Sequence, residues 1–147
     1  MTSTIDTVDA TGTDPIMRMN PETLPDAGEA GYSQISITEP GRLAFISGQV
    51  AWRPAGEPVP DNLADQAAII VDNARAALKA AGAAPRDIVM VRVYLVDLTP
   101  ERVEQVWPSL HELFEGTQPS LTGIGVAALA GPDLQLEVEL VARVPCV

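Results

Sequence analysis

The chain has 147 residues, 46% of them hydrophobic, enough for one globular domain with a real core. A formal net charge of -11 and a pI near 4.3 give a surface that repels phosphate backbones, which argues against nucleic acid as a partner. One cysteine, Cys146, and one histidine, His111, exclude a disulfide framework within the chain and leave little material for a zinc site or a Ser-His-Asp triad.

No metal is expected, since no Asp/Glu pattern resembles a calcium loop. No run of about 18 apolar residues suggests a membrane span. The start of the chain lacks the basic and apolar segments of a secretory signal, so a cytoplasmic location is the expectation.

Residues 1–30 read as an irregular N-terminal arm, rich in Ser, Thr, Pro and acidic residues. Within it, Ile16-Met17-Arg18-Met19 has the makings of an edge strand. Residues 31–147 form the domain proper. Tyr32 to Thr38 alternates polar and apolar residues, and Leu43 to Ser47 reads as a buried strand. The Pro40-Gly41 turn between them predicts a hairpin.

A loop with Pro54, Gly56, Pro58 and Pro60 leads to a helix from about Asn62 to Ala81, capped by Asp61 or Asn62 and closed by Gly82. Its stripe is Leu63, Ala67, Ile70, Ala74, Ala77, Leu78 and Ala81. Ile88 to Val96 is the clearest strand, β-branched along most of its length. Thr99-Pro100-Glu101 then opens a second helix in the order cap, first-turn proline, first-turn acid. Pro108 inside that helix predicts a kink, and Gly116 its end.

Leu121 to Leu129 reads as a strand holding Gly123 and Gly125, which suggests a bulge or a close approach of backbone or ligand. Leu134 to Val144 alternates well. The order β-β-α-β-α-β-β predicts an α+β fold, a single sheet with two helices packed on one face. The other face, with Met90, Tyr94, Gln135, Glu137 and Val141, is too mixed for a core and too apolar for free surface. Association of subunits is the simple way to cover it.

Several motifs in this order resemble the Rid family of reactive intermediate deaminases, also called the YjgF family. They are Ile46-Ser47-Gly48-Gln49, Gln66 and Asn73 on the first helix, and Asp87-Ile88-Val89 with Val93-Tyr94-Leu95 and Asp97. Pro119-Ser120-Leu121-Thr122, Val126 to Leu129 and Leu136-Glu137-Val138-Glu139 complete the set. The resemblance covers roughly residues 31–145 and implies a chorismate-mutase-like fold. It also implies a homotrimer with three ligand clefts between subunits.

In active members an arginine in a Pro-x-Arg motif clamps the substrate carboxylate, a task suited to a bidentate guanidinium. Leu121 stands at that position here, and the family's asparagine and cysteine positions fall on Trp107 and Gly123. Tyr32, the Ser47-Gly48 pair and Glu137 survive, the glutamate being the residue that positions the attacking water in the family. The resemblance thus implies a small-molecule cleft without its anion clamp, suited to a larger, less anionic ligand.

From the residues alone, Glu137 also fits a solvated sheet face, Trp107 a core position, Tyr32 a rim, and Trp52 either a cleft wall or a shield for the hairpin. His111 reads as a histidine without chemistry. Arg92 reads as a replacement cation or as one side of an ion pair between subunits. The functional expectation is an imine or enamine hydrolase that needs no cofactor. The alternatives are a non-catalytic small-molecule-binding trimer and a structural or regulatory trimer with a relict cleft. Ribonuclease activity, attached to some members of the family, suits so acidic a chain poorly.

Overall fold

A computed structural model describes residues 14–146. Among these residues six strands and two α-helices follow in order, with a short 3-10 turn at Pro85–Asp87 before the fourth strand: β1 Ile16–Met19, β2 Ile35–Thr38, β3 Arg42–Gln49, α1 Leu63–Ala80, β4 Ile88–Val96, α2 Pro100–Phe114, β5 Ser120–Val126 and β6 Leu136–Val144. The extra first strand is the Ile16–Met19 piece of the arm; residues 1–13 of that arm lie outside the described residues.

The helices begin and end where local chemistry requires. The Asn62 side chain accepts a hydrogen bond from the Asp65 amide at 3.1 Å, and that of Thr99 accepts one from Arg102 at 3.2 Å. Pro100 takes the first turn of α2, where its missing N–H costs nothing. Gly82 and Gly116 take positive φ just beyond the two helices, at 77° and 83°. The second helix continues through Pro108 to Phe114.

Four strands form one sheet in the order β3-β6-β4-β5. The last strand of the chain therefore lies in the middle, antiparallel to both β3 and β4, while β5 runs parallel to β4. Both helices cover one face, and Ile70, Ala74 and Leu78 of α1 join Val106, Leu110 and Phe114 of α2 in a single buried core. Even-numbered residues of β6 from Leu136 to Val144 point into it, and Val91, Val93 and Leu95 of β4 do the same. This alternation is the strand period of two.

The predicted hairpin of β2 with β3 does not form. The strand β2 pairs antiparallel with β1, while β3 pairs with β6, about a hundred residues away in sequence. Nor is β3 buried in the single chain. Its residues pairing with Ala142 and Leu140 face the helices, but Leu43 is 44% and Phe45 78% exposed on the other side.

The β1–β2 ribbon is tied to the main sheet by polar contacts. Arg18 is fully buried and donates to the carbonyls of Arg86 and Ile88, both at 2.9 Å. Burial pulls its pKa down, against the opposing pull of Asp14 and Asp87. Ser33 bridges to Ser120 at the start of β5, and the hydroxyls of Ser36 and Ser120 lie 2.7 Å apart. The segment read as irregular thus includes a packed strand and a buried arginine.

Candidate functional site

The sequence-derived site residues fall into two groups on the two sides of the sheet. The first group is Ser47, Gly48 and Glu137. Between Ile46 and Gln49 the register of β3 against β6 shifts, a bulge that falls on Ser47-Gly48. Glu137, opposite Tyr94 on β4, lies on the face away from the helices. A Cβ built on Gly48 would overlap the Glu137 carboxylate, so the side chain fills the space that only glycine leaves there. Ser47 is exposed, and its carbonyl accepts from the Gln49 side chain at 2.8 Å.

Beside Glu137 on the same face runs a polar cluster. The Tyr94 hydroxyl donates to Oε1 of Glu139 at 2.5 Å, and Arg92 Nη1 reaches the same oxygen at 3.2 Å. Arg92 therefore has its ion-pair partner within the chain. The Tyr94 hydrogen bond holds the Glu139 carboxyl below its ordinary range, with Arg92 adding to the effect and partial burial opposing it. The same bond pushes the Tyr94 phenol up, because ionisation would place two negative charges on one contact.

The second group is Trp107, Leu121 and Gly123. These three line an apolar pocket of about 70 Å³ between α2 and the β4–β5 edge, together with Val93, Leu98 and Val103. Trp107 and Leu121 are partly buried and packed against the core. No charged or polar side chain lines this pocket. Glu137 is on the opposite sheet face, so one chain does not bring the two groups into one cavity.

Tyr32 is half-buried in the loop before β2. Its neighbour Gly31 has φ 92°, and a Cβ there would run into the His111 ring. The His111 ring in turn packs tilted against that of Trp107, with the ring centroids 4.6 Å apart. The Tyr32 loop thus rests on the outer end of the Trp107 wall. His111, expected to be exposed or half-buried and without chemistry, is exposed and lies between the two. A single histidine between stripe residues carries no signal of such a contact.

Leu98 and Val103 were also missed as pocket residues. Val103 lies one helical turn before Trp107, which is a usable signal. Leu98 is directed by Asp97, whose φ is 57°, and no sequence pattern announces that turn. Trp52 is 55% exposed, with its carbonyl held by Asn73 at 2.8 Å, and its ring lies beside Gly131. Among the described residues no group of three His, Cys, Asp or Glu is placed to hold a metal ion, and no helix is long and apolar enough to cross a membrane.

Residues 23–144 match the family model described as Endoribonuclease L-PSP. The chain is similar to the RutC family protein YjgH of Escherichia coli, 38% identical over 107 residues, covering 71% of this chain and 78% of that protein. It is 31% identical over 103 residues to the 2-iminobutanoate/2-iminopropanoate deaminase of the same organism, covering 69% and 80%. Among solved structures, the Rid protein YyfB of Yersinia pestis superimposes with a TM-score of 0.82 at 34% identity, over 88% of this chain and 98% of that one. The two-helix, mixed-sheet fold and the match over most of its length place this chain in the Rid family, whose family model bears the endoribonuclease L-PSP name.

Proposed function

We propose that this chain is an imine or enamine hydrolase that works in a cleft between subunits of a homotrimer, on a substrate less anionic than a 2-iminoacid. The observation that carries the reading is the seating of the Glu137 carboxylate over Gly48. A bulge fixes that glycine, and the glycine leaves the carboxylate room at the sheet surface. The deaminase similarity supports the reaction class.

The chemistry asked of Glu137 is modest. Its carboxylate accepts a proton from a water as that water's oxygen bonds to the C=N carbon, giving a carbinolamine. The carboxylate returns that proton to nitrogen, completing the neutral carbinolamine, and then carries the hydroxyl proton to the same nitrogen, so that ammonia leaves as the C–N bond breaks and the carbonyl forms. Imine and water become carbonyl compound and ammonia, with no redox change. A positioned base contributes about 10²–10⁴-fold to such a step.

The split of the site residues supports a cleft built from two chains. Glu137 and Gly48 of one subunit would face Trp107, Leu121 and Gly123 of the next. The face bearing Leu43 and Phe45, 44% and 78% exposed, offers the apolar area for that association. Leu121 supports the choice of substrate, because an aliphatic wall offers a carboxylate neither charge nor hydrogen bond. With a net charge of -11, the chain is a poor match for an RNA backbone.

The test is ammonia release from imines made in situ, by an amine oxidase for uncharged imines and an amino-acid oxidase for carboxylate-bearing ones. The uncharged imines are expected to be hydrolysed faster than the spontaneous rate, and Glu137→Gln to remove at least 10²-fold of that acceleration. An unchanged rate in a folded, trimeric Glu137→Gln protein would overturn the mechanism. Preference for the carboxylate-bearing imines would overturn the substrate assignment. The second reading, a non-catalytic binder, is favoured by the missing cation at Leu121, and ligand binding without any turnover would select it.

A further inference from the structure

Two glycines on β5 share the helix-facing side, at positions where a strand ordinarily carries packing side chains. The structure gives them different reasons. A Cβ on Gly125 would come within 3.2 Å of the Leu98 Cβ, so that glycine admits Leu98. A Cβ on Gly123 would meet nothing within 4 Å. The space above it is the pocket walled by Val93, Leu98, Val103, Trp107 and Leu121.

Such a hollow is open to solvent at Gly123, and its apolar walls gain by being covered. Left uncovered, those walls lose dispersion contacts, and glycine itself is a weak strand former. Water gains little there, because the walls offer it no hydrogen-bond partner. The opening is rimmed by Leu98 and Val103, 42% and 37% exposed, which are aliphatic lips in contact with solvent. A volume of about 70 Å³ holds on the order of five non-hydrogen atoms.

We propose that this pocket takes a compact, uncharged apolar group of the ligand, a branched alkyl chain or the edge of a ring, and that Gly123 sets its depth. The inference rests on the function proposed above only in making this group the substituent on the substrate's C=N carbon. The pocket itself is complete within one chain, and its chemistry selects against charge. A carboxylate placed there would lose its hydration and meet neither a cation nor a donor.

The probes are three small molecules measured by calorimetric titration on the full-length protein: isovaleramide, acetamide and isovalerate. Isovaleramide carries a branched apolar tail on an uncharged head, acetamide lacks the tail, and isovalerate replaces the head with a charge. Isovaleramide is expected to bind about tenfold or more tightly than acetamide, as its extra carbons leave water. It should likewise outbind isovalerate.

Gly123→Val should weaken isovaleramide binding at least tenfold without lowering Tm, because the added carbons enter open space and valine suits a strand. Gly123→Ala is the milder variant, with a smaller loss in the same direction. The pocket assignment falls if wild-type protein does not bind isovaleramide, if isovalerate binds as tightly, or if both folded variants keep wild-type affinity. Isovaleramide binding without imine hydrolysis would overturn the proposed hydrolase and leave the pocket standing. Glu137-dependent hydrolysis without isovaleramide binding would do the reverse.

Discussion

The Tyr94 hydroxyl and Arg92 converge on one oxygen of Glu139, and both hydrogen bonds stabilise the ionised carboxylate. Because the folded pKa of Glu139 is depressed, its contribution to stability is present above the ordinary glutamate range. That contribution is lost as pH falls through the lowered folded value. Tyr94 is the opposite case. Its folded pKa is raised, so its contribution holds below the ordinary tyrosine range and is lost as pH rises through the raised value. Tyr94→Phe is expected to bring the Glu139 titration up toward an ordinary carboxyl, with Arg92 holding part of the shift. Carboxyl-carbon NMR across the acid range reads this directly, and an unmoved Glu139 titration would refute the assignment.

At the scale of elements, the polar residues of α1 act as clamps. Gln66 is fully buried on a helix that otherwise presents Leu63, Ala67 and Ile70 to the core. Its amide donates to the carbonyls of Pro60 and Asp133 at 2.8 and 2.9 Å, and its oxygen accepts from the Gln135 amide at 3.0 Å. One turn beyond Ile70, Asn73 holds the carbonyls of Val50 and Trp52. Two loops and the entry to β6, which carries Glu137, are thus fastened to one helix.

Gln66→Leu keeps similar bulk but takes the side-chain partner from three partly buried backbone groups, the carbonyls of Pro60 and Asp133 and the amide of Gln135. The expected cost is about 2–4 kcal/mol, read by urea unfolding. Hydrogen exchange at the Gln135 amide should accelerate more than exchange at Leu140 in the middle of the same strand. Equal acceleration at both would mean that the clamp acts on global stability alone.

For the whole molecule the deciding feature is the sheet face without helices. It carries Leu43, Phe45 and Val141 beside the Arg92, Tyr94 and Glu139 cluster, and Phe45 is 78% exposed. The outer side of the β1–β2 ribbon adds Met17 at 49% and Ile37 at 50% exposed, paired across the two strands. Under the proposed trimer this surface becomes interface. Phe45→Glu is therefore expected to yield monomers in analytical ultracentrifugation while circular dichroism keeps the wild-type helix and strand content. A mixed cleft would be lost with the trimer, so imine hydrolysis should fall as well. A Phe45→Glu protein that sediments as the wild type does would remove the interface from this face.

Much of the fold was legible because its signals are local. Thr99-Pro100-Glu101 states where α2 starts, and Gly82 where α1 stops; the β-branched run at 88–96 and the alternation at 136–144 need no neighbour to be read. The family's motif residues were legible in the same way, as short strings. Pairing was not. The Pro40-Gly41 turn suggested that β2 and β3 form a hairpin, yet partners for a strand edge are chosen by what the rest of the chain can bury, and β3 took β6. The apolar run Leu43–Ile46 was read as buried because a strand apolar on both faces asks for cover on both, and one chain supplies cover on one.

The set of elements, the acidic surface and the family pattern can be read from the amino-acid string without coordinates. That Glu137 seats over Gly48 on one side of the sheet while Trp107, Leu121 and Gly123 line an apolar pocket on the other emerges only once the strands are paired. The physical reason is that a strand's period of two assigns each side chain to a face, but which face meets the helices depends on register with partners distant in the chain.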